Sequence, residues 1–189
     1  THFADDFSGN THNWDGVNLP KKATVSVENG VLKLTSAGTN FNVNKAENGV
    51  LQYKEVKGDF IVQGKVAAMA GEEEKKSPAY NEGGILVLDD SNASAQTILQ
   101  IGAFPSYNCG NMLTVVGPHI GRPQFPSANG WDYNPYVQIE RIGDVFYIRT
   151  SFDGKTWIDK AGSPVELKEL AGKTLKVGFY HTTYSDNAG

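Results

Sequence analysis

A chain of 189 residues with a formal net charge of −4 at pH 7 fits one large β domain and can bury a core without disulfides. The single cysteine, Cys109, excludes an intramolecular disulfide and any zinc or redox site that needs paired cysteines. The basic residues form no stripe, so nucleic acid is not expected as a partner, and no apolar run approaches the roughly 18 residues of a membrane helix.

Runs of β-branched and aromatic residues alternate with clusters of Gly, Asn, Asp, Pro and Ser, and this pattern predicts an all-β protein. In the segment 58–69, apolar residues share one face while Gln63 and Lys65 lie on the other. The predicted strands are 23–28, 31–36, 49–53, 58–69, 84–88, 97–103, 112–116, 136–142, 145–151 and 174–182. So many strands exceed one open sheet, and two stacked antiparallel sheets would bury the apolar face of each.

Three junctions between predicted strands have the residues of tight turns, namely Asn29-Gly30, Gly143-Asp144 and Asp153-Gly154. Glycine and asparagine tolerate the positive φ that such hairpin turns require. Two longer irregular segments, 71–82 and 117–135, interrupt the strands. Loops of this length in a compact domain are commonly functional, so both are candidates for a site.

Several motifs recur in a fixed order along nearly the whole chain. They are Asp5-Asp6-Phe7-Ser8 followed by Trp14, then Asn29-Gly30-Val31-Leu32-Lys33-Leu34, Gly58-Asp59-Phe60-Ile61-Val62, Tyr80-Asn81-Glu82-Gly83-Gly84-Ile85-Leu86-Val87-Leu88-Asp89-Asp90, Ile139-Glu140-Arg141-Ile142-Gly143-Asp144 and Ser151-Phe152-Asp153-Gly154-Lys155-Thr156-Trp157. In order and rough spacing they resemble the bacterial concanavalin A-like domains found at the C-terminus of β-xylosidases, and more distantly laminin G-like and legume-lectin-like sandwiches.

This resemblance implies a two-sheet antiparallel jelly-roll β-sandwich, formed as one domain by residues 1–189, in a secreted, periplasmic or cell-surface bacterial protein. Such domains usually close with a strand of Asp-Phe-Asp-Asn-like pattern, whereas this chain stops at residues 184–189 without one. If that strand is missing, the first strand is left as an open edge. We therefore expect a monomer or weak self-association through that edge.

Glycoside hydrolysis by retention requires two carboxyl groups about 5–5.5 Å apart, which closely spaced acids on one strand can supply. No predicted strand has that spacing, and the laminarinase-type Glu-x-Asp-x-x-Glu signature is absent. The run Glu72-Glu73-Glu74 is followed by two lysines and is typical of charged residues that face solvent. A hydrolase would have to combine acids from different strands, for instance Glu82 with Glu140, and the alternative for Glu140 is a structural ion pair.

Nucleophilic catalysis has little support in the sequence. His2, His12, His119 and His181 stand in unrelated contexts, and no Gly-x-Ser-x-Gly motif presents a serine. No two histidines have the spacing of zinc ligands on one element. Cys109 lies in a Tyr-Asn-Cys-Gly-Asn sequence that is typical of a turn.

A structural calcium ion is suggested by related sandwiches, which hold one where the first and last strands meet. Asp5 and Asp6 are the candidate ligands, with Asp186 as a late partner, because Ca²⁺ prefers hard oxygen donors. The alternative is that these aspartates form turns or are solvated.

A carbohydrate site is indicated by aromatic and polar residues in and around the second long loop. An aromatic ring covers the apolar face of a sugar, while amides, acids and arginine bind its hydroxyl groups. The candidate residues are Tyr107, His119, Arg122, Trp131, Asp132, Tyr133 and Tyr136. We therefore expect a non-catalytic, lectin-like domain that binds an oligo- or polysaccharide. A glycoside hydrolase and an accessory module that packs on a neighbouring domain through an apolar patch remain the alternatives.

Overall fold

The computed structural model describes residues 3–8, 13–36, 49–68, 81–104, 109–127 and 134–183, and the protein in these ranges is all-β. The strands are β1 (Gly16–Asn18), β2 (Ala23–Glu28), β3 (Val31–Ser36), β4 (Val50–Lys57), β5 (Phe60–Lys65), β6 (Glu82–Asp89), β7 (Thr97–Phe104), β8 (Gly110–Val116), β9 (Gln124–Phe125), β10 (Tyr136–Ile142), β11 (Val145–Ser151), β12 (Ile158–Asp159), β13 (Val165–Glu166) and β14 (Thr174–Thr182). One short 3-10 helix spans Lys168–Leu170. None of these ranges contains a helix long and apolar enough to cross a bilayer.

Seven strands form the larger antiparallel sheet, in the order β1-β4-β14-β6-β7-β8-β9. The last of them in sequence, β14, lies in the sheet interior, where it pairs with β4 on one side and β6 on the other. The first strand, β1, stands at one end of the order. Residues 184–189, in which the sequence shows no closing-strand pattern, lie outside the described residues. Association through the β1 edge stays a prediction.

The smaller sheet has the order β12-β11-β10-β5, with β13 also pairing with β11. The two long strands β10 and β11 form a hairpin in which each residue from Tyr136 to Ile142 has a partner. A separate two-stranded sheet is formed by β2 and β3.

The two large sheets stack on one hydrophobic core. Residues of β6, β7, β8 and β14 from the larger sheet contact residues of β10 and β11 from the smaller one, because alternate side chains of each strand point inward. The fully buried members include Ile85, Ile101, Leu113, Ile139 and Ile148. This shared core confirms the prediction of two stacked antiparallel sheets.

A second, smaller buried cluster lies on the other face of the seven-stranded sheet, which we call the outer face. It contains Leu51, Leu86, Leu88, Ile98, Val116 and Tyr180, with Tyr53 packed against it. The Tyr180 ring lies across the sheet over Gly102, where a Cβ atom would come within 2.7 Å of the tyrosine hydroxyl. Glycine is therefore required at this position for Tyr180 to lie flat on the sheet.

The predicted strands agree closely with the observed ones. Several match residue for residue, while β4 continues to Lys57 and β6 begins earlier, at Glu82. The four strands that were not predicted, β1, β9, β12 and β13, have only two or three residues each. The predicted turns are also confirmed, because Asn29, Gly30, Gly143 and Gly154 have φ values of 52°, 74°, 64° and 76°.

Candidate functional site

Five stretches of chain outside the described residues are flanked by residues at a single end of the two sheets, which we call the loop end. These stretches are 37–48, 69–80, 105–108, 128–133 and 184–189. The flanking backbone is joined there, since Ser127 N donates to Cys109 O at 2.9 Å and Val66 N donates to Pro135 O at 2.8 Å. We call the opposite end, which carries Gly58, Gly143 and Lys173, the turn end.

A pair of asparagines ties the two sheets together at the loop end. The Asn111 amide donates to Asn134 O at 3.0 Å, and Asn134 N donates back to Asn111 Oδ1 at 2.8 Å. The Asn134 side chain also donates to Thr150 Oγ1 at 3.1 Å. Asn134 is thereby bonded to both sheets, to β8 through Asn111 and to β11 through Thr150.

Those predicted sugar-binding residues that lie in the described part of the chain are not brought together. Tyr107, Trp131, Asp132 and Tyr133 lie outside the described residues, as does Asp186 of the predicted calcium site. His119 and Arg122 are exposed and follow β8 at the turn end. Tyr136 lies at the loop end, beyond the opposite end of β8, which spans about 20 Å at 3.3 Å per residue.

Tyr136 belongs to the solvent face of the smaller sheet. Its ring lies 5.8 Å from Lys65 Nζ, and the turn at Gly154 packs against it so closely that a Cβ atom there would be 3.0 Å from the ring. His119 and Arg122 therefore do not join Tyr136 in one cluster, while the predicted site as a whole, four of whose seven residues lie outside the described residues, stays a prediction. Sequence proximity does not give spatial proximity here, because residues 123–127 run back along β8.

Glu140 lies in an ion pair, as the structural interpretation expected. Arg149 Nη1 donates to Glu140 Oε2 at 2.7 Å on the solvent face of the smaller sheet, and it also donates to Gln138 Oε1 at 3.0 Å. Glu82 lies on the outer face of the larger sheet, so the hydrophobic core separates the two carboxylates. The hydrolase hypothesis that paired Glu82 with Glu140 is therefore wrong, since the two acids share no cleft.

Glu82 is the most strongly perturbed acid in the described part of the chain. Its side chain is 1% exposed, and burial raises the pKa of the carboxyl group to about 7. Tyr180 Oη donates to Glu82 Oε1 at 2.6 Å, and this bond, the Gln100 amide and the charge of Arg122 each oppose that rise in pKa. The charge of Arg122 thus acts on Glu82, although Arg122 follows the opposite end of β8.

Gln100 is fully buried beside Glu82, yet neither Oε1 nor Nε2 of its amide has a partner in hydrogen-bond geometry among the described residues. It lies between Leu86 and Thr114, which are its register partners on β6 and β8. A buried amide without partners is uncommon and destabilises the folded protein. The outer face thus holds a polar centre whose hydrogen bonding is incomplete.

Cys109 lies near this centre, directly before the first residue of β8. Burial raises the pKa of its thiol, and the nearby charge of Glu82 raises it further. Thiolate character is what makes cysteine nucleophilic, so these shifts oppose reactivity. Cys109 itself forms a β-bridge next to β8, while residues 105–108, the rest of the predicted turn, lie outside the described residues.

The two described candidate calcium ligands, Asp5 and Asp6, form turns. Phe7 N donates to Asp5 Oδ1 at 2.7 Å, Trp14 Nε1 donates to Asp5 Oδ2 at 2.9 Å, and Ser8 N donates to Asp6 Oδ1 at 3.0 Å. Within the described ranges, no group of three or more histidine, cysteine or acidic side chains is positioned to hold a metal ion. Calcium binding stays a prediction.

A cavity of about 140 Å³ lies on the outer face near its β1 edge. Its lining combines an aromatic ring, two amides and an ion pair with an apolar floor, and consists of Asn18, Leu51, Tyr53, Leu88, Asp90, Gln96 and Lys176. Lys176 Nζ donates to Asp90 Oδ2 at 2.6 Å and lies 4.9 Å from the centre of the Tyr53 ring. Burial lowers the pKa of Lys176, but the hydrogen bond and charge of Asp90 outweigh it and raise that pKa overall.

The position of Tyr53 depends on a glycine in the neighbouring strand. Gly16 pairs with Tyr53, and a Cβ atom at residue 16 would lie 2.5 Å from the tyrosine hydroxyl. The ring can therefore extend over β1 only because that position has no side chain. The sequence contained a signal for this in the Asp15-Gly16 pair, but the pairing partner could not be identified from it.

His181, which the sequence placed in no recognisable context, bonds to two polar side chains at the loop end. Ser36 Oγ contacts His181 Nδ1, and Asn81 Oδ1 contacts His181 Nε2. The three residues come from β3, from β14 and from the position before β6. Their separations of 145 and 100 residues left no local motif to detect.

Comparison with known proteins gives a similar fold. No family model matches the chain, and no curated protein is significantly similar to it in sequence. A solved structure, that of a functionally unknown protein from Saccharomyces cerevisiae, matches with a TM-score of 0.63 and 19% identity over 90% of this chain and 87% of that one. The protein therefore shares its overall fold with that yeast protein, and at this level of identity the similarity extends to the fold alone.

Proposed function

We propose that this protein is a non-catalytic carbohydrate-binding domain built on a concanavalin A-like jelly-roll sandwich, and that the cavity beside Tyr53 holds one sugar ring. The observation that carries the proposal is the lining of that cavity, which places an aromatic ring, two amides, a carboxylate and an ammonium group around an apolar floor. Its volume of about 140 Å³ is below the roughly 300–1,000 Å³ of pockets for drug-sized ligands, which favours a single ring.

Each lining group has a place in sugar recognition. The half-buried Tyr53 ring offers apolar surface to the C–H face of a sugar, and the buried side chains of Leu51 and Leu88 lie beneath the cavity. An amide both donates and accepts hydrogen bonds, which suits hydroxyl groups, and Asn18 uses one of its donors on Gly49 O. Gln96 supplies the second amide of the lining. The paired Asp90 and Lys176 add one acceptor and one donor without adding net charge, so a neutral sugar is favoured over an anionic one.

Glycan-array screening followed by titration calorimetry tests this proposal. We expect Tyr53→Ala to weaken binding at least tenfold, and Tyr53→Phe to weaken it less, because the ring supplies the stacking surface. Tyr147→Ala is the matched control, since Tyr147 also lies beneath a cation, with Arg149 5.5 Å from its ring, but on the solvent face of the smaller sheet.

The possible outcomes test the proposed function and the proposed binding site separately. Failure of the wild-type protein to bind any glycan would overturn the proposed function. Equal binding by wild type and Tyr53→Ala would overturn the cavity as the site. Loss of binding in the double variant Trp131→Ala/Tyr133→Ala, with Tyr53→Ala unaffected, would place the site in the second long loop.

A further inference from the structure

The strand β5 forms one end of the smaller sheet, and among the described residues it pairs with β10 alone. It has six residues, whereas the other strands that end the two large sheets, β1, β9 and β12, have two or three. Its register with β10 runs without a bulge from Phe60 to Lys65, and it contains no proline. A long and regular edge of this kind is able to pair with a further strand.

Alternate residues of β5 direct their backbone groups away from β10. Val66 N donates to Pro135 O at 2.8 Å, one step beyond the register pair Lys65–Tyr136. Hydrogen-bonded and non-bonded pairs alternate along an antiparallel ladder, so every second residue before Val66 also bonds to β10. These residues are Phe60, Val62 and Gly64. The residues whose N–H and C=O groups point to the free edge are Ile61, Gln63 and Lys65.

The side chains along this edge are exposed on the solvent face of the smaller sheet. Ile61 is 60% exposed, which is high for a large apolar residue within a strand. The Lys65 ammonium group lies 5.8 Å from the Tyr136 ring and has no acidic partner among the described residues. Asp59, directly before the strand, accepts from Gly143 N through Oδ1 at 2.8 Å, which leaves Oδ2 for a second partner.

We propose that two copies of this chain pair antiparallel through β5, about a two-fold axis at Val62. The groups that point to the free edge then bond to each other, because this axis places Ile61 opposite Gln63 of the second copy. It also places Asp59 opposite Lys65 of the second copy, on the same face of the sheet. Each contact occurs twice by symmetry, and the two smaller sheets become one continuous sheet.

Charge selects this register over its neighbours. Moving the axis by one residue towards the N-terminus would bring Lys65 towards Lys57 of the second copy, which has the same charge. Moving it by one residue towards the C-terminus would bring Asp59 opposite Ala67, which has no charge. Opposed charges across paired strands contribute to register, and like charges oppose pairing. A second copy of the chain is therefore the partner that fits this edge.

The inference goes beyond sugar binding and does not rest on it. The cavity beside Tyr53 lies on the outer face of the larger sheet, whereas the β5 edge belongs to the smaller sheet. It also differs from association through β1, which offers an edge of only three residues. Loss of glycan binding would leave the β5 pairing untouched, and loss of pairing would leave the cavity untouched.

Sedimentation velocity of the wild-type protein over a wide range of concentration, combined with amide hydrogen exchange measured by NMR, tests the pairing. We expect the mass to rise from that of one chain towards twice that mass. The amides of Ile61, Gln63 and Lys65 should gain protection with this rise, while those of Val62 and Gly64 are protected at every concentration. A protein that stays monomeric up to millimolar concentration overturns the proposal, and so does a dimer in which β1 amides gain the protection instead.

Gln63→Pro blocks the edge without removing a bond to β10. The N–H group of residue 63 points to the free edge, so proline there removes a donor from the interface alone. We expect dimerisation to weaken about tenfold or more, with the fold checked by thermal melting. Equal dimerisation by wild type and a folded Gln63→Pro variant would refute the interface, and the exchange pattern of the wild type decides if the variant does not fold.

Charge reversal tests the register. Lys65→Glu alone and Asp59→Lys alone are each expected to weaken dimerisation about tenfold, because each opposes like charges twice. The double variant Asp59→Lys/Lys65→Glu restores opposite charges and should regain most of the wild-type affinity. Lys33→Glu is the matched control, since it makes the same charge change at an exposed position of β3 and is expected to have no effect. A double variant no tighter than the single ones contradicts the axis at Val62.

Discussion

Two buried charged side chains at opposite ends of the sheets differ in how completely they are hydrogen bonded. Arg141, at the turn end, donates to the carbonyl oxygens of Gly143 at 2.9 Å, Gly58 at 3.3 Å, Lys173 at 3.0 Å and Leu170 at 2.5 Å. Glu82, on the outer face, accepts one well-formed bond from Tyr180 and lies beside an amide that lacks partners. Both side chains are 1% exposed.

This difference in hydrogen bonding indicates that Arg141 stabilises the fold, whereas Glu82 belongs to a candidate functional centre. The guanidinium group of Arg141 joins three turns and the short 3-10 helix, and it also stacks 5.8 Å from the Phe146 ring. Such a group fixes the hairpins at the turn end. The Glu82 centre instead keeps a carboxyl and an amide in a state that destabilises the folded protein, which is the pattern expected of groups retained for a role other than stability.

The largest effect is expected from removing Arg141. Arg141→Met removes a fully buried guanidinium group and leaves four backbone carbonyl groups without their donor, among them the buried carbonyl of Leu170, and we expect the free energy of unfolding to fall by about 4 kcal/mol in urea titrations. Arg149→Met is the control, because Arg149 is half-buried and pairs with Glu140 and Asp159 at the surface, so about 1 kcal/mol or less is expected. Equal losses in the two variants would contradict the structural role of Arg141.

The next largest effect is the pH dependence that Glu82 contributes. Burial raises its pKa from 4.5 to about 7, so between these pH values the unfolded chain releases a proton that the folded protein keeps. Stability therefore falls as the pH rises through this window and levels off above pH 7, by about 3 kcal/mol in total.

Glu82→Gln removes this titration. Urea unfolding at pH 5 and pH 8 should show that the variant loses about 3 kcal/mol less than wild type between the two conditions. Asp153→Asn is the control, because Asp153 is exposed and hydrogen bonds lower its pKa, which places its titration below this window. A parallel pH profile for wild type and Glu82→Gln would show that Glu82 titrates near its ordinary pKa.

The smallest change in stability is expected at Gln100, the amide beside Glu82. Gln100→Leu replaces an amide without partners by an apolar side chain of similar size, and we expect the free energy of unfolding to rise by about 1 kcal/mol. Thr114→Val in the same row is the control and is expected to gain nothing, because its hydroxyl contacts Gln124 Nε2 at 3.5 Å. A marked loss of stability in Gln100→Leu would contradict the incomplete hydrogen bonding of this centre.

The sequence was sufficient to predict the main strands and the way they stack. Alternating residues such as those of β10 and β11 determine which side chains face the core, so Val137 and Ile139 were placed correctly, with Glu140 on the opposite face. Turn chemistry at Asn29-Gly30 determined the β2–β3 hairpin for the same local reason. Strands of two or three residues, such as β9, contain too few alternating residues to give a pattern.

The candidate sites could not be predicted because they depend on pairing between distant strands. The cavity requires Asn18 of β1 beside Tyr53 of β4, and the hydrogen bond between Ser36 and His181 likewise joins residues far apart in sequence. Register between such strands is set by the whole sheet and leaves no local signature. Conversely, His119 and Tyr136 are near in sequence but lie apart, His119 after β8 at the turn end and Tyr136 at the start of β10 at the loop end.

The interior position of β14 has a consequence for synthesis on the ribosome. Residues 174–182 pair with β4 on one side and β6 on the other, so each of those strands lacks one of its two neighbours until β14 has been synthesised. Pairing between strands as distant in sequence as β4 and β14 is slow, and strands with an open edge invite association with other chains during that wait. A nascent chain stalled before residue 174 would therefore be a natural client for a chaperone.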